Sequence, residues 1–281
     1  MNGPLKFHGG KHYLARHIVG LMPPHLHYVE PYFGGGAVLF AKQHDGVSEV
    51  VNDLNGDLMN FWRVLQEKKA FTEFKRRMEA VPFSETQWQE AKGQLTEDQG
   101  TTRKASIERA AAFFIMCRQS MAGRCTDFAP ISKNRTRRGM NEQASAWMQA
   151  VDGLPAVHAR LRRVVILNRP ALEVIRAHDT PNTLCYLDPP YLPETRAVQG
   201  VFGPFDMTTE QHEELLATIK GLQGKVMLSG YPSELYDMSL KGWHRQEFDL
   251  PNNAAGDIAK RRMTECVWLN FKAKVQHKEA G

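Results

Sequence analysis

VEPYFGGGAVLF, residues 29–40, decides how the chain folds. The apolar run HYVE (27–30) reads as a strand, the glycines as a turn, AVLFAKQ (37–43) as a helix and EVVN (49–52) as the next strand. Strand, turn, helix and strand in that rhythm imply a parallel α/β sheet. In such sheets the turn after a strand lets backbone N–H groups approach a ligand at a helix N-terminus, and Gly34 and Gly36 stand at that place. Nineteen residues beyond Gly34, at the end of the following strand, comes Asp53, a position from which a carboxylate accepts hydrogen bonds from two ribose hydroxyls. Leu39 occupies the third glycine position of a G-x-G-x-x-G turn, and Pro31 and Phe33 widen it. A nucleoside without phosphates suits this turn better than a dinucleotide. A plain flexible turn, with Asp53 capping the helix in LNGDLMNF, is the competing reading.

Outward from this stretch, KHYLARHIVGLM (11–22) reads as a helix stopped by Pro23 and Pro24. From Leu54 to about Gln149 strand signals vanish and helical periodicity takes over, as in ASIERAAAFFIMCRQS (105–120). Strands return in RVVILN (163–168), TLCYLD (183–188), KVMLSG (225–230) and ECVWLNF (265–271), with helical runs PALEVIRAH and TEQHEELLATIKGL among them. The expected organisation is a sheet domain from 1–67 and 151–281 with a helical insertion at 68–150. Residues 275–281 read as a frayed tail.

Charge separates the same two parts. Residues 68–150 carry fifteen Lys/Arg against nine Asp/Glu, whereas the rest of the chain carries twenty-one against twenty-two. A localised basic segment is the footprint of a polyphosphate partner, although a solvated helical face has the same composition. No apolar run is long enough to span a membrane and no signal-peptide pattern follows Met1, so a cytoplasmic address without membrane association is expected. Cys117, Cys125, Cys185 and Cys266 lack CxxC or CxxH spacing, which predicts reduced thiols and no zinc. His8 with His12, and His25 with His27 on a strand, have no carboxylate or cysteine at a spacing that completes a metal set, so no metal is expected.

YLDPPYLPE (186–194) is the second informative stretch. Asp188 ends a strand on the carboxyl edge, where ligands bind in wound sheets. Pro189 and Pro190 cannot continue a ladder and have fixed φ. Their rigidity would aim the Asp188 carboxylate and the Pro189 carbonyl, two acceptors, at one point without later reorganisation. Two acceptors match an NH2 group, such as the delocalised exocyclic amine of adenine, whose lone pair becomes available when both protons are drawn away from the ring plane. Tyr191 would stack on the ring. A base inside a duplex must be flipped out to reach such a pocket. The structural alternative has Asp188 capping the segment and Tyr191 packing.

With these pieces in view, the chain resembles the Dam-like DNA adenine-N6 methyltransferases over nearly its whole length. FHGGK (7–11), EPYFGGGAVLF (30–40), NDLN (52–55) and DPPY (188–191) occur in that family's order. The resemblance implies a Rossmann-like, S-adenosylmethionine-dependent methyltransferase sheet with an inserted helical target-recognition domain. It implies Phe7, Lys11, Glu30, Pro31, Phe33, Gly34, Gly36, Asp53, Asn168 and Asp188 as cofactor residues, with the donor's methionine end near Lys11, its sugar near Asp53 and its sulfonium near Asp188. Asp188, Pro189, Pro190 and Tyr191 would be catalytic. Two departures stand out: Phe7 replaces a common tryptophan, and Asn168 replaces a common carboxylate whose amide oxygen can still accept a hydrogen bond.

The same resemblance places a DNA-entering hairpin in the basic insertion, where Arg124, Lys133, Arg135, Arg137 and Arg138 cluster. Arginine's planar fork suits phosphate oxygens and the O6/N7 edge of guanine alike, and phosphate contact is the commoner role. A further basic run, Lys260-Arg261-Arg262, is expected either to border the same cleft or to be a solvated loop. The expected partner is double-stranded DNA with a flipped adenine, bound by a monomer. Three rivals remain: a nicotinamide-dependent oxidoreductase, which has no need of DPPY; a protein-glutamine methyltransferase, which usually carries Asn at position 188; and a non-catalytic DNA-binding module. No Pro-Cys dipeptide supports a cysteine nucleophile for cytosine methylation. Ser229 and Tyr231 sit at another strand end, as core residues or as part of a base pocket.

Overall fold

The computed structural model describes residues 1–97, 105–196, 200, 203–251 and 262–273. The helices in chain order are α1 (Ala15–Leu21), α2 (Ala37–Ala41), α3 (Gly56–Gln66), α4 (Lys68–Ala80), α5 (Glu85–Glu97), α6 (Ile107–Gln119), α7 (Glu142–Asp152), α8 (Leu154–Leu161), α9 (Ala171–Ala177), α10 (Thr209–Lys220) and α11 (Glu234–Ser239). The strands are β1 (His27–Glu30), β2 (Ser48–Asn52), β3 (Thr136–Arg137), β4 (Met140–Asn141), β5 (Val164–Leu167), β6 (Thr183–Leu187), β7 (Lys225–Gly230), β8 (His244–Pro251) and β9 (Arg262–Leu269). None of the described helices is long and apolar enough to cross a membrane.

Two compact units emerge: Met1–His12, Gly34–Phe40 and Asn55–Asn168 in the first, and Tyr13–Phe33, Ala41–Leu54 and Arg169–Gly281 in the second. The helical unit is thus wider than the 68–150 segment read from charge and periodicity, because α3, α8 and β5 group with it.

In the second unit the strands run in the order β2-β1-β6-β7-β9-β8. The pairings β1 with β2, β1 with β6 and β6 with β7 are parallel. β6 is buried at every position, as a strand covered on both faces must be, which is why TLCYL reads as a continuous apolar run. The sheet is mostly parallel, as the strand-turn-helix rhythm implies, and becomes antiparallel at one end, where β9 pairs with both β7 and β8. β8, HRQEFDLP, carries too little apolar alternation to be legible; its backbone pairs with β9 from His244 to Pro251, so the ladder rather than the side chains defines it. His25 precedes β1 instead of lying on it.

β1 is flanked by β2 on one side and β6 on the other, so the chain reverses its direction of winding between β1 and β6. Outside the carboxyl ends of the strands at such a switch point, open α/β sheets bind their ligands. Glu30 ends β1 and Asp188 follows β6 there.

The first unit has an aromatic core. Phe61 stacks on Phe114 with centroids 5.6 Å apart and meets Trp62 and Phe74 edge-on. Asp57 holds Arg109 through two bonds of 2.6 and 2.8 Å, joining α3 to α6. Ser106 caps α6 and exchanges bonds with Asn60 of α3. All four cysteines are free thiols. Cys125, expected to be an isolated core residue, is half-buried with its sulfur 3.6 Å from Cys117, since the 3-10 turn after α6 folds the chain back on the helix.

Candidate active site

At the end of β6, Pro189 is buried while Asp188, Pro190 and Tyr191 are half-buried, so the loop presents a carboxylate and an aromatic ring from a fixed base. Tyr191 donates its hydroxyl hydrogen to Glu265 of β9, and its ring meets Tyr231 edge-on with centroids 4.6 Å apart at 77°. Glu265 is itself 7% exposed. Tyr191 is therefore braced at its hydroxyl and along one edge. Tyr231 also lines an open cavity of about 500 Å³ together with Glu194, Thr195, Pro232, Ser233 and Thr264. Ser229 belongs to the core: it is fully buried and shares a 2.9 Å hydrogen bond with the Tyr186 hydroxyl.

Glu30 is buried, and its carboxylate accepts a 2.9 Å hydrogen bond from Tyr28. Burial drives its pKa well above the usual carboxylate value, the Tyr28 bond opposes this, and the charges of Asp188 and Glu49 add to the rise. Lys42 acts in the lowering direction while pairing with buried Glu49 at 3.0 Å. The folded chain thus holds the Glu30 proton more tightly than the unfolded chain. The stability gained is complete below the unfolded value of 4.5 and is lost as pH rises through the raised folded value. Glu30→Gln is expected to flatten that decline; superimposable plots of melting temperature against pH for the two proteins would refute it.

The turn after β1 is held by Asn52, which is fully buried. Its amide donates to the carbonyls of Pro31 and Arg169, each at 3.0 Å, its side-chain oxygen accepts from Arg169 N at 2.9 Å, and its own carbonyl accepts from Phe33 N at 2.9 Å. Pro31 and Phe33 are buried by the same arrangement. Asn55, not Asp53, caps α3, accepting from Asp57 N and Leu58 N. Asp53 is half-buried just beyond β2, and the capping role considered for it belongs to its neighbour two residues on.

In the first unit Gly34 and Gly36 adopt φ of 48° and 69°. Trp62 donates from Nε1 to the Gly34 carbonyl at 3.2 Å, and Phe7 packs on the turn. A Cβ at Gly34 would lie 3.1 Å from the Phe7 ring, and one at Gly35 only 2.8 Å from the Phe7 Cβ. Close approach of Phe7 therefore explains the glycine run as much as any ligand does. Gly35→Ala should destabilise the protein by about 1–3 kcal/mol through overpacking, measurable by urea unfolding; wild-type stability would show that Phe7 moves freely. Lys11 is 8% exposed and donates to the Gly9 carbonyl at 3.2 Å. Asn168 is exposed just beyond β5.

The basic stretch forms a hairpin, β3 and β4, in the same unit. Its two-residue turn, Arg138-Gly139, has φ of 54° and 74°, the positive pair that a tight hairpin requires. Arg138 pays for its unusual backbone with two side-chain bonds, from Nε to Ser145 Oγ at 3.0 Å and from Nη2 to the Ser145 carbonyl. Arg124, Lys133 and Arg137 are exposed, and Arg135, also exposed, lies 3.9 Å from Glu142. Lys260 and Arg261 lie outside the described residues, as do the side chain of Arg262 and the terminal segment 275–281.

Residues 7–250 match the D12 class N6 adenine-specific DNA methyltransferase family. The chain belongs to that family. It is similar to the type II methyltransferase M1.LlaDCHI of Lactococcus lactis subsp. cremoris, 23% identical over 297 residues that take in 95% of this chain and 94% of that protein. It is also similar to the DNA N-6-adenine-methyltransferase of Escherichia phage P1, 26% identical over 82% of this chain and 30% of that longer protein. The type II methyltransferase M.MjaIII of Methanocaldococcus jannaschii is 22% identical over 95% of this chain and 98% of that protein. The methyltransferase is an enzyme acting on adenine N6 in DNA.

Sequence reasoning missed several residues of the methyltransferase's second unit, which carries the DPPY loop. Glu265 was hidden inside an apolar strand, ECVWLNF, where only its polarity at a buried position was a signal. Asn52 was passed over beside the more conspicuous Asp53. His212 and Tyr236, on α10 and α11, lie far along the chain and meet at 2.9 Å only in the folded unit.

Proposed function

We propose that the methyltransferase uses S-adenosylmethionine as donor and acts on an adenine flipped out of double-stranded DNA. The observation that carries this reading is the DPPY loop at the winding reversal between β1 and β6, with Tyr191 braced by Glu265 and Tyr231. The chemistry of the available side chains fits the donor: a half-buried carboxylate at Asp53 for ribose hydroxyls, glycines at 34 and 36 for close approach, an aromatic wall at Phe7 and a cation at Lys11 for a carboxylate. Glu30, Pro31, Phe33 and Asn168 complete the proposed donor residues. Glu30 contributes through the backbone of its turn, since its carboxylate is engaged by Tyr28. When bound, S-adenosylmethionine supplies an electrophilic methyl carbon on a positively charged sulfur.

The chain's own residues do the rest. The Asp188 carboxylate and the Pro189 carbonyl accept the two N–H hydrogens of the adenine amine, which turns the nitrogen lone pair out of the ring plane. One amine proton would be lost along the hydrogen bond to Asp188 as the nitrogen takes the methyl group, the S–C bond of the donor breaking with its electron pair left on a neutral thioether sulfur. Tyr191 stacks on the base, and base-aromatic stacking of about 1–3 kcal/mol offsets much of the cost of unstacking it from the duplex. The 68–150 segment would be the part that recognises DNA, with Arg124, Lys133, Arg135 and Arg137 on phosphates or base edges and Arg138 shaping the hairpin. Incubation with random-sequence duplex DNA and labelled donor, followed by mapping of the modified bases, tests donor and specificity together. Label on adenine N6 is the expected result; absence of label with active DNA binding would overturn the reading.

A further inference from the structure

β6 and β7 run parallel and end at Leu187 and Gly230, while β9 runs the opposite way with Cys266 paired to Gly230. The antiparallel pairing delivers the residue before Cys266, which is Glu265, to the sheet edge that carries the DPPY loop, one step past Gly230 and level with Tyr231. A parallel β9 would have brought its other end there. Glu265 is 7% exposed, and Cys266, Val267, Trp268 and Leu269 after it are buried. A carboxyl group in such surroundings costs stability unless its oxygens are used. One of them accepts the hydrogen of the Tyr191 hydroxyl. Stacking on a base needs only an aromatic face, which a phenylalanine would offer equally, so the hydroxyl of Tyr191 is the part that stacking leaves unexplained.

We propose that Glu265 is a positioning residue for capture of the flipped base: by accepting the Tyr191 hydroxyl hydrogen it fixes the plane of the ring on which the adenine comes to rest. This rests on the reading that Tyr191 stacks on the target. Two side-chain torsions turn a tyrosine ring, and each has more than one favoured well. The bond at the hydroxyl tip and the edge-on contact with Tyr231, at 4.6 Å and 77°, together hold one orientation before DNA arrives. An incoming base cannot enter between the two rings, because two van der Waals contacts require about 7 Å between the outer planes. It must meet Tyr191 from outside the pair, in the plane that Glu265 sets. A ring ordered in advance spares the complex the cost of ordering it on binding.

Single-turnover methylation of duplex DNA, KM for the donor and melting temperature are to be compared for Glu265→Leu, Glu265→Gln, Tyr191→Phe, Tyr191→Ala and the combination of Glu265→Leu with Tyr191→Phe. Glu265→Leu is expected to slow methylation by about threefold to thirtyfold, the scale of one lost side-chain hydrogen bond and a ring left to order on binding, with the donor KM unchanged. Tyr191→Phe should show a similar loss, and the combination no more than either alone, because both remove the same bond. Glu265→Gln keeps an oxygen that accepts the hydroxyl hydrogen and should recover most of the rate. A mismatched base opposite the target adenine lowers the cost of extrusion, so it should shrink the loss. Wild-type rate in Glu265→Leu, multiplied losses in the combination, or a loss that follows melting temperature and that neither Gln nor the mismatch relieves, overturns the proposal. If Glu265→Leu does not fold, Tyr191→Phe decides: a loss that the mismatch shrinks supports the proposal, and a wild-type rate or an undiminished loss refutes it. Wild-type rate in Tyr191→Ala would instead bring down the stacking reading itself, whereas slow methylation there beside a wild-type Glu265→Leu would remove only Glu265.

Discussion

Asp188→Ala is expected to slow methyl transfer by about 10²–10⁴-fold, the range found when a positioned proton-handling group is removed, while donor affinity falls only a few-fold. The carboxylate is one of two proposed acceptors for the amine hydrogens, and its loss leaves the nitrogen lone pair in the ring system. Asp188→Asn keeps an oxygen acceptor but replaces the charge, so it should fall between alanine and wild type. The check is single-turnover methylation beside equilibrium titration of the donor. Unchanged turnover in the alanine variant would remove Asp188 from the mechanism. Because the Asp188 charge also raises the pKa values of Glu30 and Tyr236, the variant should relieve both groups, and a melting temperature at or above wild type would separate lost chemistry from lost folding.

The second large effect is expected at the hairpin, where two adjacent arginines should behave differently. Arg137 is exposed on β3, and Arg137→Ala should weaken binding to every DNA sequence alike, flattening the slope of log affinity against log salt by about 0.9 if it meets one phosphate. A loss confined to particular sequences would make it a base reader, at about 1–3 kcal/mol for a bidentate contact. Arg138→Ala removes two bonds to Ser145 and leaves a non-glycine residue at φ 54° unsupported. Its first effect should be on the turn, seen as faster proteolysis at residues 136–141 in the free protein. Equal salt slopes and equal proteolysis in the two variants would contradict this division of labour.

Much of the site was legible because it is built from local backbone devices. The strand-to-turn pattern around Gly34 and the proline pair at 189–190 constrain φ wherever they occur, so their meaning survives without neighbours. The antiparallel end of the sheet was not legible in the same way. HRQEFDLP becomes a strand by pairing along its length with β9, and a ladder to a segment further along the chain leaves no periodicity to read. The glycine run was read as room for a ligand, yet Phe7 fills the space beside Gly34 and Gly35. A side chain arriving from near the N-terminus cannot be inferred from the turn itself. The approach of Cys117 to Cys125 was not legible either, since eight residues of spacing say nothing of 3.6 Å across a folded-back turn.

The sequence alone determined that this chain would wind an α/β sheet, where its stiff acidic loop would stand and which segment would carry the positive charge, because each follows from residue order within a few turns of chain. Tertiary structure alone decided what braces that loop, Glu265 on Tyr191 and Tyr231 across its edge, and what holds the separate turn after β1, which is Asn52. The physical reason is that hydrogen-bond geometry is fixed at the scale of tenths of an ångström by partners distant in the chain. Buried polar side chains show in a sequence only as polar letters in apolar runs, without their partners' names.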